Sequence, residues 1–519
     1  MGKRIYNILF HLHTVSGIVI SAALYVIFFA GSFSFFRDEI VNWERDHTVQ
    51  HPGEISLDLD ATIDSLKLTH DLYGREISIA QVYNERRVNV NVGASADSLA
   101  SEEAKKPEFF YLDTKSFDRQ EYYSSYTLGE FLYRLHFFAQ IPYPAGYYLS
   151  GFVAFFFLFA LITGLIVHWD KIIKNFYLFR PWEKLKTVWT DAHTTLGLIG
   201  FPFQLVYAVT GAFFMLNLLL VAPSVYVLYD GDSDKLYDEL GFKHPAFPLQ
   251  YEKLEKEVSI NKFISQTKTR WKSLNVSHVI IHNYGDKNMH VTVEGRADHS
   301  EKFLGVGEVS YHAETGDIVN LKDEINESSY LEGTKLALYQ LHFADYGGLW
   351  IRIVSFVLGL VSCFVILSGV LIWLVARDRK DVPEKQKRFN QRVAWIYLAI
   401  CLSMYPVTAF AFIVVKMFGI VGSANMYSLY FITWLLVTVF FVVKKSNSFT
   451  NRYSLISGSI LGFLVPVANG IKTSNWPWIT FVNQQYDILL VDLLWIGLSS
   501  CTLYAVYCMS SYKQTKVAA

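Results

Sequence analysis

The feature that most constrains this chain is a series of eight apolar stretches, each long enough to cross a lipid bilayer. A membrane-spanning helix needs roughly 20 predominantly apolar residues. The seventh stretch is short and contains three glycines and a proline. The pattern predicts a polytopic α-helical membrane protein of about eight spans. The stretches cover about residues 8–36, 147–169, 194–221, 349–375, 393–418, 426–443, 455–471 and 488–509.

The overall composition supports a membrane protein and excludes some other classes. Hydrophobic residues make up 52 % of the chain and charged residues only 18 %, which is too apolar for an ordinary soluble protein of 519 residues. The net charge of −1 gives no general attraction to nucleic acid, so we expect membrane lipid as a partner and no nucleic acid. The four cysteines lie in apolar stretches, where we expect small buried side chains rather than disulfides or zinc ligands. They are Cys363, Cys401, Cys501 and Cys508.

Basic residues indicate how the spans are oriented, because positive charge favours the cytoplasmic side. Lysines and arginines cluster before span one, after spans two, four and six, and at the end of the chain. With eight alternating spans, all of these clusters fall on one side. We therefore expect a bacterial inner-membrane protein with both termini cytoplasmic and two long periplasmic segments, 37–145 and 222–348. The four additional spans lie within 393–509.

The two long segments have similar internal patterns. Each begins with a helical pattern and continues with alternating apolar and polar residues, which is typical of strands. The predicted strands are 77–83, 87–92 and 109–114 in the first segment and 276–282, 289–294 and 309–312 in the second. Each segment is therefore predicted to form a small α+β periplasmic domain.

Spans one and three share a motif at equal spacing, which indicates an internal repeat. His13 precedes Gly31 by 18 residues, and His193 precedes Gly211 by 18 residues. The motif begins His-Thr in both copies and has a further glycine four residues after the histidine, Gly17 or Gly197 in the respective copies. An equal interval across a whole span is not expected by chance.

Spans two and four carry the second half of the repeat. A Leu-His-Phe sequence precedes each of them and contains His136 and His342 respectively. The interval from His136 to Gly164 is one position longer than the interval from His342 to Gly369, so a single insertion relates the copies. We predict a duplicated core of two plus two helices, with copies related by an axis along the membrane normal.

The four matched histidines are the strongest functional candidates. Histidine in a membrane is costly unless it is paired or liganded. Two facing imidazoles can occupy both axial positions of a haem iron, so His13 with His193, and His136 with His342, are candidate haem-iron ligands. Eighteen helical residues cover about 27 Å, which would place the sites near opposite membrane faces. Interfacial hydrogen bonding and a proton relay are the alternatives.

Several other residues are weaker candidates. His11 and His168 lie near the first pair in sequence or predicted depth, and Gly17 and Gly197 could leave room for a flat macrocycle or serve ordinary helix contact. Arg352, and less so Arg134, could balance haem propionates or extend to lipid headgroups. Asp492 is a lone acid in span eight, suited to proton or quinone chemistry or to a helix–helix hydrogen bond. Six histidines of the second segment suggest ordinary surface positions or, less readily, a metal site: His244, His278, His282, His290, His299 and His312.

Taken together, these motifs resemble the PepSY-associated transmembrane family. The resemblance covers about residues 5–380, and its two α+β segments would be PepSY-like domains. It implies a siderophore-type iron reductase of the inner membrane that binds b-type haem, with only the four matched histidines carried over as ligands. Spans five to eight lie beyond it and receive no role. The motifs that carry it are His13-Thr14-x-x-Gly17, Leu135-His136, Thr163-Gly164, Trp189-Thr190-Asp191-Ala192-His193, Thr210-Gly211 and Leu341-His342.

The leading hypothesis is therefore a membrane reductase with haem b, in two copies, acting on a periplasmic ferric chelate. The predicted cytoplasmic loops are short and carry no nucleotide-binding fingerprint, so quinol or a separate cytoplasmic reductase would donate electrons. The alternative hypothesis is a non-enzymatic transporter, or an envelope-sensing or peptidase-regulating protein, that uses its PepSY-like domains for binding. Catalytic residues beyond the haem ligands are not identified by the sequence.

Overall fold

The computed structural model describes residues 2–518 except 50–52, 178–179, 181–182, 184, 241–244, 298–304, 324, 326–328 and 379–380. Helices dominate these residues, and the strands are confined to two segments. The helices are α1 (Lys3–Ser34), α2 (Arg37–Arg45), α3 (Leu59–Lys67), α4 (Leu128–Leu135), α5 (Ala145–His168), α6 (Ile172–Phe176), α7 (Leu185–Leu228), α8 (Ser233–Glu239), α9 (Ile260–Arg270), α10 (Tyr330–Phe343), α11 (Gly348–Val375), α12 (Glu384–Phe418), α13 (Ser423–Lys444), α14 (Asn447–Thr473), α15 (Pro477–Val482) and α16 (Tyr486–Ala518).

Within the described residues, eight helices are long and apolar enough to cross a membrane, and they coincide with the eight predicted stretches. They are α1, α5, α7, α11, α12, α13, α14 and α16. In lipid every backbone polar group must be satisfied within the protein, which is why such apolar stretches form continuous helices. The chain is a multi-pass membrane protein, as the sequence predicts.

The glycine-rich seventh stretch forms an uninterrupted helix, α14, rather than a broken one. A Cβ at Gly458 would collide with the Tyr405 ring, and a Cβ at Gly462 with the Ser499 hydroxyl. At Gly470 a Cβ would lie 2.5 Å from the Trp476 ring. These glycines permit close side-chain and helix packing, which is a common use of small residues in membranes.

The spanning helices, with α7 counted up to residue 222, belong to one compact unit formed by residues 1–46, 126–222 and 341–519. Within it Cys363 and Cys401 are buried, as predicted. Cys501 and Cys508 are exposed, so the prediction of burial is wrong for these two. They lie on the outer side of α16, where a spanning helix faces lipid rather than neighbouring helices. All four cysteines are free thiols.

The second compact unit, residues 47–125 and 223–340, contains an eight-stranded antiparallel sheet. Its strands are β1 (Ile77–Ala80), β2 (Arg87–Val92), β3 (Glu108–Asp113), β4 (Arg119–Gln120), β5 (Leu274–His282), β6 (His290–Ala297), β7 (Val306–His312) and β8 (Ile318–Asp323). The six predicted strands correspond to β1, β2, β3, β5, β6 and β7. The edge strands β4 and β8 were not predicted.

The two long segments share this one sheet, whereas the sequence predicted two small domains. The strand order is β4-β3-β2-β1-β5-β6-β7-β8, and β1 pairs with β5. In that pairing Ile77 lies opposite Ile281, and Ile79 lies opposite Val279. All four side chains are fully buried, so the two segments also share one apolar core. Burial of these cross-strand pairs specifies the register, because a one-residue slip would turn them to the polar face.

Candidate functional site

The structure brings His13 of α1 and His193 of α7 together; we call them the first pair. Their ring centroids lie 6.3 Å apart, and the ring planes are inclined by 71°. Both side chains are half-buried. Two imidazoles from different spanning helices therefore meet inside the helical unit.

Hydrogen bonds show which ring nitrogen carries the proton in each histidine of the first pair. His13 Nδ1 donates to the Ala160 carbonyl at 2.8 Å, and His193 Nδ1 donates to the Val365 carbonyl at 2.9 Å. A carbonyl can only accept, so Nδ1 carries the proton in each neutral ring. The lone pair is then on Nε2, which is the atom left to bind a metal.

Each ring of the first pair lies against a glycine of the neighbouring helix. A Cβ at Gly164 would lie 2.8 Å from Cε1 of His13, and a Cβ at Gly369 would lie 3.0 Å from Cε1 of His193. Gly164 and Gly369 each lie one helical turn after the residue whose carbonyl accepts the hydrogen bond. These contacts give a physical reason for Gly164 in the Thr163-Gly164 motif and for Gly369, which follows Ser368 at the matching position of the second copy.

His136 and His342 form the second pair. His136 follows the last residue of α4, and His342 lies in α10. Their ring centroids are 6.4 Å apart and their planes are inclined by 32°. Both are half-buried, and His342 is flanked by the rings of Tyr207 and Phe214 at 5.2 and 5.1 Å.

The second pair has the same proton arrangement as the first. Thr210 Oγ1 donates its proton to the Val206 carbonyl at 2.6 Å, so it accepts from His342 Nδ1 at 2.7 Å. His136 Nδ1 donates to the Tyr133 carbonyl. Nε2 is therefore the available ligand atom in all four histidines.

Burial keeps the second pair neutral. It lowers the pKa of His136 to about 4 and that of His342 to about 3. Desolvation disfavours the charged imidazolium, so both rings are uncharged at pH 7. Neutral imidazole is the form that ligates metals.

The two pairs are far apart along the helices. His136 lies beside Gly31 of α1, where a Cβ would be 3.8 Å from the Cβ of His136. Gly31 therefore marks the position of His136 along α1. Thr210, which is hydrogen-bonded to His342, marks the position of His342 along α7. At a rise of about 1.5 Å per residue, His13 to Gly31 corresponds to about 27 Å and His193 to Thr210 to about 26 Å.

The weaker histidine candidates occupy different positions. His11 is exposed and packs edge-on against Phe10, with 6.3 Å between ring centroids. His168 is the last residue of α5 and lies one turn beyond Gly164 on the same helix. His168 is therefore close to the first pair, whereas His11 faces outward.

Gly17 borders open space, whereas Gly197 makes one ordinary van der Waals contact. Apart from the glycine and its own neighbours along the helix, no described atom lies within 4 Å of a Cβ built on Gly17. At Gly197 the nearest atom is Cγ1 of Val365 at 3.9 Å. Neither glycine is needed for tight helix contact in this structure, in contrast to Gly164 and Gly369.

The predicted arginine candidates have acidic partners that were not predicted from the sequence. Arg352 pairs with Glu39 of α2 at 2.7 Å and also donates to the Phe35 carbonyl at 3.2 Å. Arg134 pairs with Glu130 at 2.8 Å, one turn earlier in α4. Internal ion pairs therefore compensate both charges. The available signals were the position of Glu39 just after span one and the four-residue spacing of Glu130 and Arg134.

Asp492 is fully buried and makes helix–helix hydrogen bonds. Its carboxylate accepts from Trp43 Nε1 at 2.9 Å and from Asn469 Nδ2 at 3.0 Å. This is the hydrogen-bonding alternative that the sequence left open. Lys416, which no sequence pattern singled out, is also buried and donates to the Trp43 carbonyl.

The histidines of the second unit are mostly engaged within its sheet. His278 contacts Ser78 Oγ at 2.8 Å and Glu294 at 2.9 Å. His282 contacts Glu76 at 3.0 Å and Thr292 at 3.1 Å. His244 and His299 lie outside the described residues. In the described part of the chain, no three His, Cys, Asp or Glu side chains form a group that could hold a metal ion.

The region that contains both pairs matches a known family. The model of the family described as "PepSY-associated TM region" matches residues 10–376, which is more than half of the chain. The matched region includes all four histidines and ends at α11. An uncharacterized protein of Pseudomonas aeruginosa, PA4219, is 23% identical over 247 residues, which cover 46% of this chain and 60% of that protein. The match thus spans less than two thirds of that relative.

Proposed function

Because the chain belongs to the PepSY-associated TM region family, we propose that it is a haem b-containing membrane reductase. It would pass electrons across the membrane to a periplasmic ferric chelate of the siderophore type. The observation that carries this proposal is the spacing of the two histidine pairs, 6.3 Å in the first and 6.4 Å in the second.

The spacing would allow the two histidines of each pair to hold one haem iron between them. A metal–imidazole bond is about 2 Å long. Two imidazoles that held one metal ion would have their ring centres roughly 6 Å apart.

The proton arrangement provides a second argument. In each ring Nδ1 donates to an acceptor within the protein, and this orients the ring and raises the ligand strength of Nε2. The acceptors are the carbonyls of Ala160, Val365 and Tyr133 and the hydroxyl of Thr210. A proton relay would instead be served by rings that can protonate readily, and burial opposes this in the second pair.

The recurrence of the same contacts in both halves supports a duplicated core of two plus two helices with two haem sites. Bound haem b would supply one-electron transfer. The histidines of the two pairs would hold the haem groups, and the open space beside Gly17 would accommodate a flat group next to the first pair. The separation of about 26 Å along α7 suits transfer across a bilayer.

The remaining parts of the proposal follow from orientation. The basic clusters favour an inner-membrane protein with cytoplasmic termini, which would place the first pair on the cytoplasmic side and the second pair on the periplasmic side. Short cytoplasmic connections favour quinol or a separate reductase as the electron donor. The substrate would then be reduced beside the second pair.

Spectroscopy of the purified full-length protein tests the proposal. We expect a low-spin b-type spectrum that changes on addition of dithionite, with two haems per chain. Replacing His13 and His193 by alanine should remove one haem, and replacing His136 and His342 should remove the other. The exposed His11→Ala substitution is the matched control and should leave both. Colourless protein expressed with ample haem would refute the proposal and favour the non-enzymatic alternative.

A further inference from the structure

We propose that the spans beyond the family region, α12, α13, α14 and α16, together with the loops between them, position His136 by holding the short helices α2 and α4. This inference rests on the proposed function, because it assigns these spans a role in the geometry of the second pair. The residues that contact α2 are positioning residues, since they act on His136 through α2 and α4.

One side of α2 is bound by these spans and the loops between them. Trp43 Nε1 donates to Asp492 at 2.9 Å, and the Trp43 carbonyl accepts from Lys416 Nζ. The Lys416 ammonium also lies 4.7 Å from the centre of the Trp43 ring. Trp43 is fully buried between an acid of α16 and a base of α12.

Neighbouring positions are held by α16 and by the connection between α14 and α15. Asn42 Nδ2 donates to Asp487 at 3.2 Å, and Asp46, which follows α2, accepts from Asn475 Nδ2 at 2.5 Å. Together with Trp43, polar contacts are thus made at three positions in little more than one helical turn.

The charges involved are costly, which argues against an incidental contact. Lys416 is 3% exposed and Asp492 is fully buried, both in helices that span the membrane. Ionisable residues inside a membrane are expensive and usually have a specific role. Both of these residues are hydrogen-bonded to Trp43, so the two charged groups hold α2 in place.

The other side of α2 is bound to α4. Arg37 donates to Glu130 at 3.0 and 2.8 Å, and Glu44 accepts from the Leu128 backbone N–H at 2.8 Å. The helices approach so closely that a Cβ at Gly129 would lie 2.7 Å from the Arg37 carbonyl oxygen. Any displacement of α2 would therefore move α4.

His136 follows α4 directly, so the position of α4 determines the position of its ring. Span α13 and the residue before it also contact α4 and the segment just before α4 directly. The Phe131 ring of α4 lies 4.7 Å from that of Tyr430 in α13, and the Gly422 N–H donates to the Tyr126 carbonyl at 2.9 Å. Contacts through α2 and contacts with α4 thus converge on the same histidine.

His342 is held by contacts with α7 rather than α2, so the expected effect is specific to His136. Its ring is held by the Thr210 hydroxyl and by the rings of Tyr207 and Phe214, all in α7. We therefore expect loss of the α2 contacts to affect His136 more than His342, and to leave the first pair unchanged.

The test uses Trp43→Phe and Asp492→Asn in the full-length protein, with Trp434→Phe as the matched control. The Trp434 indole donates to the Ile400 carbonyl, within the group of extra spans. Protein freed of any bound haem is labelled with diethylpyrocarbonate, and modification of each histidine is measured by mass spectrometry. Midpoint potentials of the haem-loaded protein are recorded in parallel.

We expect labelling of His136 to rise several-fold in Trp43→Phe and Asp492→Asn, with His13 and His193 unchanged and the control like the parent protein. The haem assigned to the second pair should shift in potential or be lost. Unchanged His136 labelling in either folded variant, or an equal rise at all four histidines, would overturn the inference. If one variant does not fold, the other still decides. Colourless protein in which His136 labelling rises selectively would refute the proposed reductase but support the positioning role.

Discussion

The rings of His13 and His193 lie 6.3 Å apart, centre to centre, although they belong to helices that are remote from each other in the chain. Each ring donates Nδ1–H to a carbonyl of the following spanning helix, His13 to Ala160 and His193 to Val365. The two rings thus make equivalent hydrogen bonds, each to a carbonyl four residues before a glycine. The first two predictions concern glycines near these rings.

Replacing Gly164 by alanine should disrupt the first pair. The new Cβ would lie 2.8 Å from Cε1 of His13, whose ring is held in place by its hydrogen bond to the Ala160 carbonyl. Overpacking of this kind typically costs about 1–3 kcal/mol. We expect loss of one haem per chain, measured by the pyridine haemochrome assay, with the second haem retained. Gly497→Ala, where no described atom lies within 4 Å of the new Cβ, should retain both.

Replacing Gly17 by alanine should lower haem binding without changing the stability of the fold. Because no described protein atom lies within 4 Å of the new Cβ, thermal stability of the haem-free protein should stay within about 0.5 kcal/mol of the parent. Under the proposed function, haem content should nevertheless fall, since the methyl group would occupy space beside the first pair. Full haem content in Gly17→Ala would show that this glycine does not provide clearance.

Thr210→Val should weaken the second pair specifically. The substitution keeps the side-chain shape but removes the acceptor for His342 Nδ1–H, and an unsatisfied buried donor costs about 1–3 kcal/mol. We expect lower stability by thermal denaturation in detergent and a changed midpoint potential of one haem only. Thr210→Ser keeps the hydroxyl and should behave like the parent protein. Equal effects of valine and serine would exclude the hydrogen bond as the cause.

Glu39 should make folding stability depend on pH. Burial raises the pKa of Glu39 to about 7 from an ordinary value of 4.5, despite its ion pair with Arg352. Between these two values the unfolded chain releases the proton while the folded protein keeps it. Ionisation of Glu39 therefore favours unfolding. As pH rises from 4.5 to about 7, the free energy of unfolding falls by about 3 kcal/mol in total because of this group.

Thermal unfolding at a series of pH values measures this contribution. Glu39→Gln cannot ionise, so its stability relative to the parent protein should increase as pH rises from 4.5 to about 7 and then level off. Glu257→Gln, at an acid that is almost fully exposed, is the control and should show no such trend. A constant difference between Glu39→Gln and the parent protein across this range would contradict the prediction.

Local patterns were sufficient to predict much of this protein. All eight spanning helices follow from apolar length, and six of the eight strands follow from alternation, because both signals lie in contiguous residues. The matched motifs and their similar intervals indicated which histidines to compare, and the structure places those rings together. The short edge strand β4 was missed because it has only two residues, too few for a period to show.

Only the tertiary structure decided which groups meet across the chain. The pairing of β1 with β5, which joins the two predicted domains into one sheet, depends on strand edges that are remote in sequence. The partners of Arg352 and Asp492, namely Glu39 and Trp43, depend on how α2 turns after α1. Sequence alone determines which residues share a helix face or a strand face, because those periods are local. Which faces then meet is set by helix crossing and long-range burial, which no local period encodes.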